Sequence, residues 1–120
     1  MGAFAAGQVV LLPFPFSDLT GSKQRPALLL ASVGRGDWVA CQITSNPYAD
    51  PRAIEIDDDA FAEGGLQRLS YARPGKLFTA NEALMGAPRG ALTEGLFDRI
   101  RGAVVEMLLA DSGQESLGNR

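Results

Sequence analysis

Histidine is absent from this 120-residue chain, and cysteine occurs once, as Cys41. The lone thiol has no internal disulfide partner, and zinc sites built from His and Cys are excluded. General acid–base catalysis loses its most frequent agent. Any chemistry therefore falls to arginine, hydroxyls, carboxylates and the main chain, and no metal or cofactor is expected. Long apolar runs are missing as well. None approaches the ~20 residues that cross a bilayer, and the N-terminus has neither the basic segment nor the apolar stretch of a secretory signal. The expectation is a soluble, cytoplasmic protein without membrane contact.

Positive charge is also scarce. Eleven Lys and Arg stand against fourteen Asp and Glu, a net charge of −3, and the isoelectric point is about 4.8. A general nucleic-acid binder is usually basic. The distribution is uneven, however. Glu55, Asp57, Asp58, Asp59 and Glu63 form an acidic run with no base among them. From Gly64 to Arg101, six bases (Arg68, Arg73, Lys76, Arg89, Arg99, Arg101) outnumber three acids. Net charge thus conceals a segregated pattern that leaves room for a local basic site.

What is present is ordinary for a globular protein: 46% hydrophobic and 21% charged residues. The length predicts one domain over residues 1–120, with a structured core from about 7 to 109 and a flexible polar tail over 111–120. A chain of this size buries roughly 65% of its unfolded surface, so oligomerisation would help its stability.

Gln8 to Phe16 reads as a strand with Val10, Leu12, Phe14 and Phe16 on one face. Pro13 and Pro15, two apart, leave one side without donors, as at an edge or a strand end. Ser17 to Gln24 reads as a loop with turn formers Asp18 and Gly21. Arg25–Pro26 then opens a second strand, Ala27 to Val33, and Gly34–Arg35–Gly36–Asp37 a hairpin. In Trp38 to Thr44, alternation sets Val39, Cys41 and Ile43 on one face, with Thr44 pointing away from them. Asn46 to Arg52 is a loop and Ala53 to Ile56 a short strand. Ser70 to Phe78 is a further strand that Pro74–Gly75 bends or bulges. Thr93 caps an amphipathic helix on which Leu96, Phe97, Ile100, Val104 and Leu108 recur at helical spacing. Short strands and one late helix predict a mainly β, α+β fold: a strongly bent small sheet or barrel with a helix packed on it.

Three blocks carry a resemblance: GQVVLLPFPFSDLTGSKQRPALLL, the later CQITS, and LFTANEAL with LTEGLFDRIRGAVVEML. Together they resemble the MazF/PemK family of toxin–antitoxin endoribonucleases, over about Gly7 to Leu109. The first block is the specific part. The resemblance implies an SH3-like small barrel of the MazF/CcdB kind, a homodimer, and a cognate antitoxin that blocks the site. It implies metal-independent cleavage of single-stranded RNA, messenger RNA in the first instance, leaving 2′,3′-cyclic phosphate and 5′-hydroxyl ends. The family's catalytic arginine and threonine fall on Arg25 and Thr44. Its first loop, near RNA and antitoxin, falls on Ser17 to Lys23. Candidate substrate contacts are Phe16, Ser17, Asp18, Lys23, Ser45, Asn46 and Lys76. The chain departs from the family in its acidic overall charge.

These residue types suit the chemistry. A guanidinium makes paired, charge-assisted hydrogen bonds to phosphate oxygens, and a threonine hydroxyl can orient the attacking 2′-hydroxyl or bind a phosphate oxygen. With a pKa above ~12, arginine is a poor general base; Asp18 is a candidate if its loop closes. Other readings stand beside these. Phe14 and Phe16 pack in a core or stack bases, and Trp38 packs in a core or dimer. Ser45 and Asn46 form a turn, and Lys76 is solvated. Two alternative functions remain. One is a CcdB-like inhibitor of a protein target such as DNA gyrase, acting through the helix near Arg99 and Arg101. The other is a non-catalytic interaction module.

Overall fold

Two apolar faces of one sheet organise the chain. The computed structural model describes residues 4–15 and 21–110. Within them lie seven strands: β1 Gln8–Pro15, β2 Ser22–Gly34, β3 Asp37–Thr44, β4 Ile54–Ile56, β5 Phe61–Gly64, β6 Ser70–Asn81 and β7 Gly90–Leu92. They form an antiparallel half-barrel in the order β4-β6-β3-β2-β1-β7-β5. Three-ten turns at Asp58–Ala60 and Glu82–Leu84 and the helix α1, Glu94–Leu109, complete the architecture. The mainly β expectation with a late helix holds. Among the described residues no helix is long and apolar enough to cross a membrane.

The inner face gathers Val9, Leu28, Cys41, Ile43, Ile54, Ile56, Ala72 and Leu92, and α1 lays Phe97, Ile100 and Val104 onto it. Thr93 caps α1 by accepting the Leu96 N–H at 3.3 Å. Leu108, counted on the apolar stripe from its spacing, is 67% exposed. The outer face carries a smaller cluster of Val10, Leu12, Ala27, Leu29, Trp38 and Ala40. Trp38 is core, its indole N–H bonded to Glu82 Oε2 at 2.8 Å. Phe14 packs edge-on against Phe78 at 5.3 Å, which supports its core reading.

Local chemistry fixes the connections. Arg35 and Gly36 both have positive φ, 58° and 81°, the geometry of a tight two-residue hairpin. The register between β3 and β6 jumps from Cys41↔Leu77 to Gln42↔Arg73, so Pro74, Gly75 and Lys76 bulge out as the sequence suggested. β1 pairs with β2 throughout, but reaches β7 only at Gln8 and Val9. Pro13 and Pro15 lie beyond that contact.

One expectation needs correction. β2 begins at Ser22 rather than Ala27, because Ser22 to Pro26 pair with Pro15 to Leu11; Lys23 and Arg25 sit on a strand. Thr44 does lie on the face opposite Cys41 and Ile43, and it is only 8% exposed there. The short β5 and β7 carry too little periodicity to be recognised in sequence. Phe16, and the tail from 111 onward, lie outside the described residues.

β5 and β7 cross at two glycines. A Cβ on Gly64, whose φ is +69°, would lie 2.2 Å from the Arg89 carbonyl oxygen; one on Gly90 would lie 2.6 Å from that of Glu63. Gly90→Ala is expected to cost roughly 2 kcal/mol and to lower Tm by roughly 10 °C. Gly86→Ala, with nothing within 4 Å of the added carbon, should leave Tm unchanged. Thermal melts of the two variants check this.

Candidate nucleic-acid interface

The ladder between β2 and β3 stops early, and a proline explains why. The carbonyls of Val9 and Leu11 accept the N–H groups of Arg89 (2.7 Å) and Gly86 (3.3 Å). Those carbonyls therefore face away from β2. In an antiparallel pair, their partners Leu28 and Pro26 then direct their polar groups toward β3. Pro26 has no N–H to give. Pairing with β3 accordingly starts only at Ala27↔Gln42. Carried past that rung, the register sets Pro26 against Ile43 and Arg25 against Thr44. The strands part instead, and Arg25, Pro26, Ile43 and Thr44 all line a cleft of about 400 Å³.

This cleft holds much of the scarce positive charge. Lys23, Arg25, Arg68 and Arg89 line it, and among the described residues no carboxylate does. None of the four makes an ion pair among the described residues, whose ion pairs are Arg73–Asp50 and Arg101–Asp98. The glycine crossing of β5 and β7 adjoins both Arg89 and the 65–68 segment, so it sets the far wall. The acidic run stays out of the cleft: Asp57 accepts the Asp59 N–H at 3.0 Å and caps an exposed turn.

Thr44 Oγ1 accepts the Asn46 N–H at 3.1 Å. Among the described residues its own proton has no acceptor, so it can donate. Arg25, Thr44, Lys23 and Ser45 come together at the cleft. Asn46 makes the adjoining turn, its Oδ1 accepting the Tyr48 N–H at 2.9 Å. Lys76 does not join them. Its bulge lies against α1, where a Cβ on Gly75 would be 3.8 Å from Met107 Sδ. Phe16, Ser17 and Asp18 lie outside the described residues. Burial pushes the Cys41 thiol up to about 12, and it donates to the Arg73 carbonyl at 3.1 Å, so it is a structural group. Among the described residues no cluster of Cys, Asp and Glu is placed to hold a metal ion.

Sequence reasoning missed Arg68 and Arg89 as site residues, although the basic excess after Gly64 was the signal for both. It also missed a network beside Thr44. Arg73 Nε bonds Asp50 Oδ2 at 2.9 Å, Arg73 Nη1 bonds Gln42 Oε1 at 3.2 Å, and the guanidinium lies 5.4 Å from the Tyr48 ring centre. The Arg52 backbone N–H, at 2.9 Å, and then the Arg73 side chain hold the Asp50 carboxyl below the usual carboxylate range. This network braces a loop in which Tyr48 and Ala49 have φ of 53° and 58°, strain of about 1 kcal/mol or more at each.

The sequence matches no protein-family model and no curated protein. Solved structures do match the fold. A MazE–MazF complex from Deinococcus radiodurans aligns with a TM-score of 0.71 at 18% identity, over 90% of this chain and 97% of that one. The chain has the MazF fold. An endoribonuclease from a mycobacterial species, in complex with its cognate antitoxin, aligns at 0.64 and 19% identity, over 90% and 95% of the two chains. The Mycobacterium tuberculosis toxin MazF-mt6 aligns at 0.59 and 16% identity, over 82% and 93%. Within this MazF-like fold, the cleft lies where β2 and β3 part.

Two outcomes follow from the geometry. Pro26→Ala supplies the missing donor toward Ile43; the amide at position 26 should become protected in hydrogen exchange and the cleft should narrow. Asp50→Asn tests the loop brace. A carboxylate whose pKa is lowered by folding stabilises above its unfolded value, ~3.9, and loses that contribution as pH falls through the folded value. Asp50→Asn should lower Tm at pH 7, and its Tm should fall less than that of the wild type between pH 5 and pH 3.

Proposed function

We propose that this chain is the toxin of a toxin–antitoxin pair, a homodimeric, metal-independent endoribonuclease for single-stranded RNA. The observation that carries the reading is that Arg25 and Thr44 line one cleft at an unzipped end of the sheet, where the charged lining among the described residues is cationic. Four cations without an ion pair among the described residues suit a polyanionic backbone, and a cleft open at a sheet end suits a single strand.

The reaction needs positioning and charge stabilisation more than a strong nucleophile. The 2′-oxygen of the substrate attacks the adjacent phosphorus. The bond from 2′-oxygen to phosphorus forms while the bond to the 5′-oxygen breaks. The 2′-proton leaves, and a proton arrives on the departing 5′-oxygen. Products are a 2′,3′-cyclic phosphate and a 5′-hydroxyl. Arg25 faces the charge that builds on the non-bridging oxygens, where its planar fork gives two hydrogen bonds. The free Thr44 proton donates to the same phosphate or holds the 2′-oxygen in line. Lys23, Arg68 and Arg89 hold the flanking phosphates. An antitoxin segment rich in acidic residues would compete for the same cations. The exposed Val105, Leu108 and Leu109 at the end of α1 leave apolar surface for a second copy or a partner.

Incubation of the purified protein with a mixed-sequence RNA in EDTA tests the reading, with the fragment ends mapped. Cleavage with cyclic phosphate ends is expected, and Arg25→Ala should lower the rate at least 100-fold without changing the melt. Intact RNA, or cleavage that needs added metal, contradicts it. Each of Lys23→Ala, Arg68→Ala and Arg89→Ala should weaken RNA binding and reduce the salt dependence by about one released counterion.

A further inference from the structure

The sheet register extends the Arg25–Thr44 pair into a row. On its other side Thr44 pairs with Tyr71 of β6, and Tyr71 pairs with Glu55 of β4. Paired residues share a face, so Arg25, Thr44, Tyr71 and Glu55 stand in line across four strands. One rung back, Gln42 pairs with Arg73 on that same face. The opposite face at this level is sealed by Ile43, Ala72, Ile54 and Ile56 under α1. The row face is polar and half-open, with Tyr71 and Arg73 partly buried.

Above Arg73 stands Tyr48. Its ring is 62% exposed, its backbone is in the left-handed region with that of Ala49, and Asn46, Asp50 and Arg73 brace its loop. A strained backbone that displays an aromatic ring to water has no packing reason. Charge distinguishes this corner from the cleft. Arg73 is already neutralised by Asp50 at 2.9 Å, so it presents a flat face rather than an unmatched charge. Such a group favours a neutral planar ring over a phosphate.

We infer that Tyr48, Arg73 and Tyr71 form a nucleobase subsite that takes a base flanking the scissile phosphate, with Tyr48 as the stacking surface. The inference rests on the RNA-cleaving reading and adds to it a determinant of sequence preference. Only Ser45, Asn46 and Pro47 separate Tyr48 from Thr44, a span of at most ~14 Å, within one or two nucleotides of the phosphate held by Arg25. Stacking gives affinity with any base. The Tyr71 hydroxyl and Gln42 add polar groups that can tell one base edge from another.

The test uses the full chain and a labelled RNA carrying 2′-O-methyl groups throughout, which binds without being cut. An abasic nucleotide is placed at each position in turn, and affinity is read by fluorescence anisotropy. In the wild type one position should be far more sensitive than the rest. Tyr48→Ala should weaken binding of the intact RNA roughly 5- to 100-fold, the range of one lost stack, and should abolish the extra sensitivity at that position alone. Tyr48→Trp should retain it. Arg25→Ala should weaken all the RNAs alike and keep the position-specific pattern. If Arg25→Ala weakens binding while Tyr48→Ala, with an unchanged melt, binds like the wild type, the subsite is overturned and the RNA-cleaving reading stands. If the wild type binds none of the RNAs, both fall.

Discussion

The site depends on one missing hydrogen-bond donor. A proline at position 26 leaves β2 with nothing to offer β3 where the register calls for an N–H. Ladder pairing is cooperative only while each rung is made, so the strands separate from that point. Two side chains that would have been cross-strand neighbours in a closed sheet become the two walls of a cleft. Arg25 is thereby held on a rigid strand rather than a loop, and Thr44 is held by β6 on its other side. A catalytic pair needs such support, because a displacement of about 1 Å at the reacting centre can cost 100-fold in rate.

Charge is allotted by the same economy of means. The chain is acidic overall, yet Lys23, Arg25, Arg68 and Arg89 converge where, among the described residues, no carboxylate lines the wall. Arg73, one rung away, is matched by Asp50 and lies against an aromatic ring. Unmatched cations favour phosphates, and a matched guanidinium on a ring favours planar groups. The acidic remainder of the surface sets this cleft apart as the cationic spot, a separation that net charge alone conceals.

Much of this was legible in the sequence because it rests on local rules. Proline positions, the Gly-rich hairpin, the bulge at Pro74–Gly75 and the Thr93 cap each follow from the chemistry of a few adjacent residues. Arg25 and Thr44 were singled out by the family resemblance; read alone they were a solvated charge before a proline and a strand-end hydroxyl. What was not legible depends on register and crossing. Nothing local says that Arg68 and Arg89 share a wall with Arg25; that follows from the contact of Gly64 with Gly90, fixed by two three- and four-residue strands. Alternation placed Thr44 on the face opposite Ile43, where it lies, but did not say how deeply it is buried there. Leu108 fitted the helical period, but the period does not say what covers each turn, and Leu108 is left exposed.

The central claim is that Arg25 and Thr44 act on one phosphate as a unit. A double-mutant cycle on single-turnover cleavage tests it most directly, with Arg25→Ala, Thr44→Ala and the double variant compared at equal RNA saturation. The account predicts strong non-additivity, the double variant being little slower than the slower single variant. Losses that simply multiply, in variants whose melts match the wild type, would contradict it.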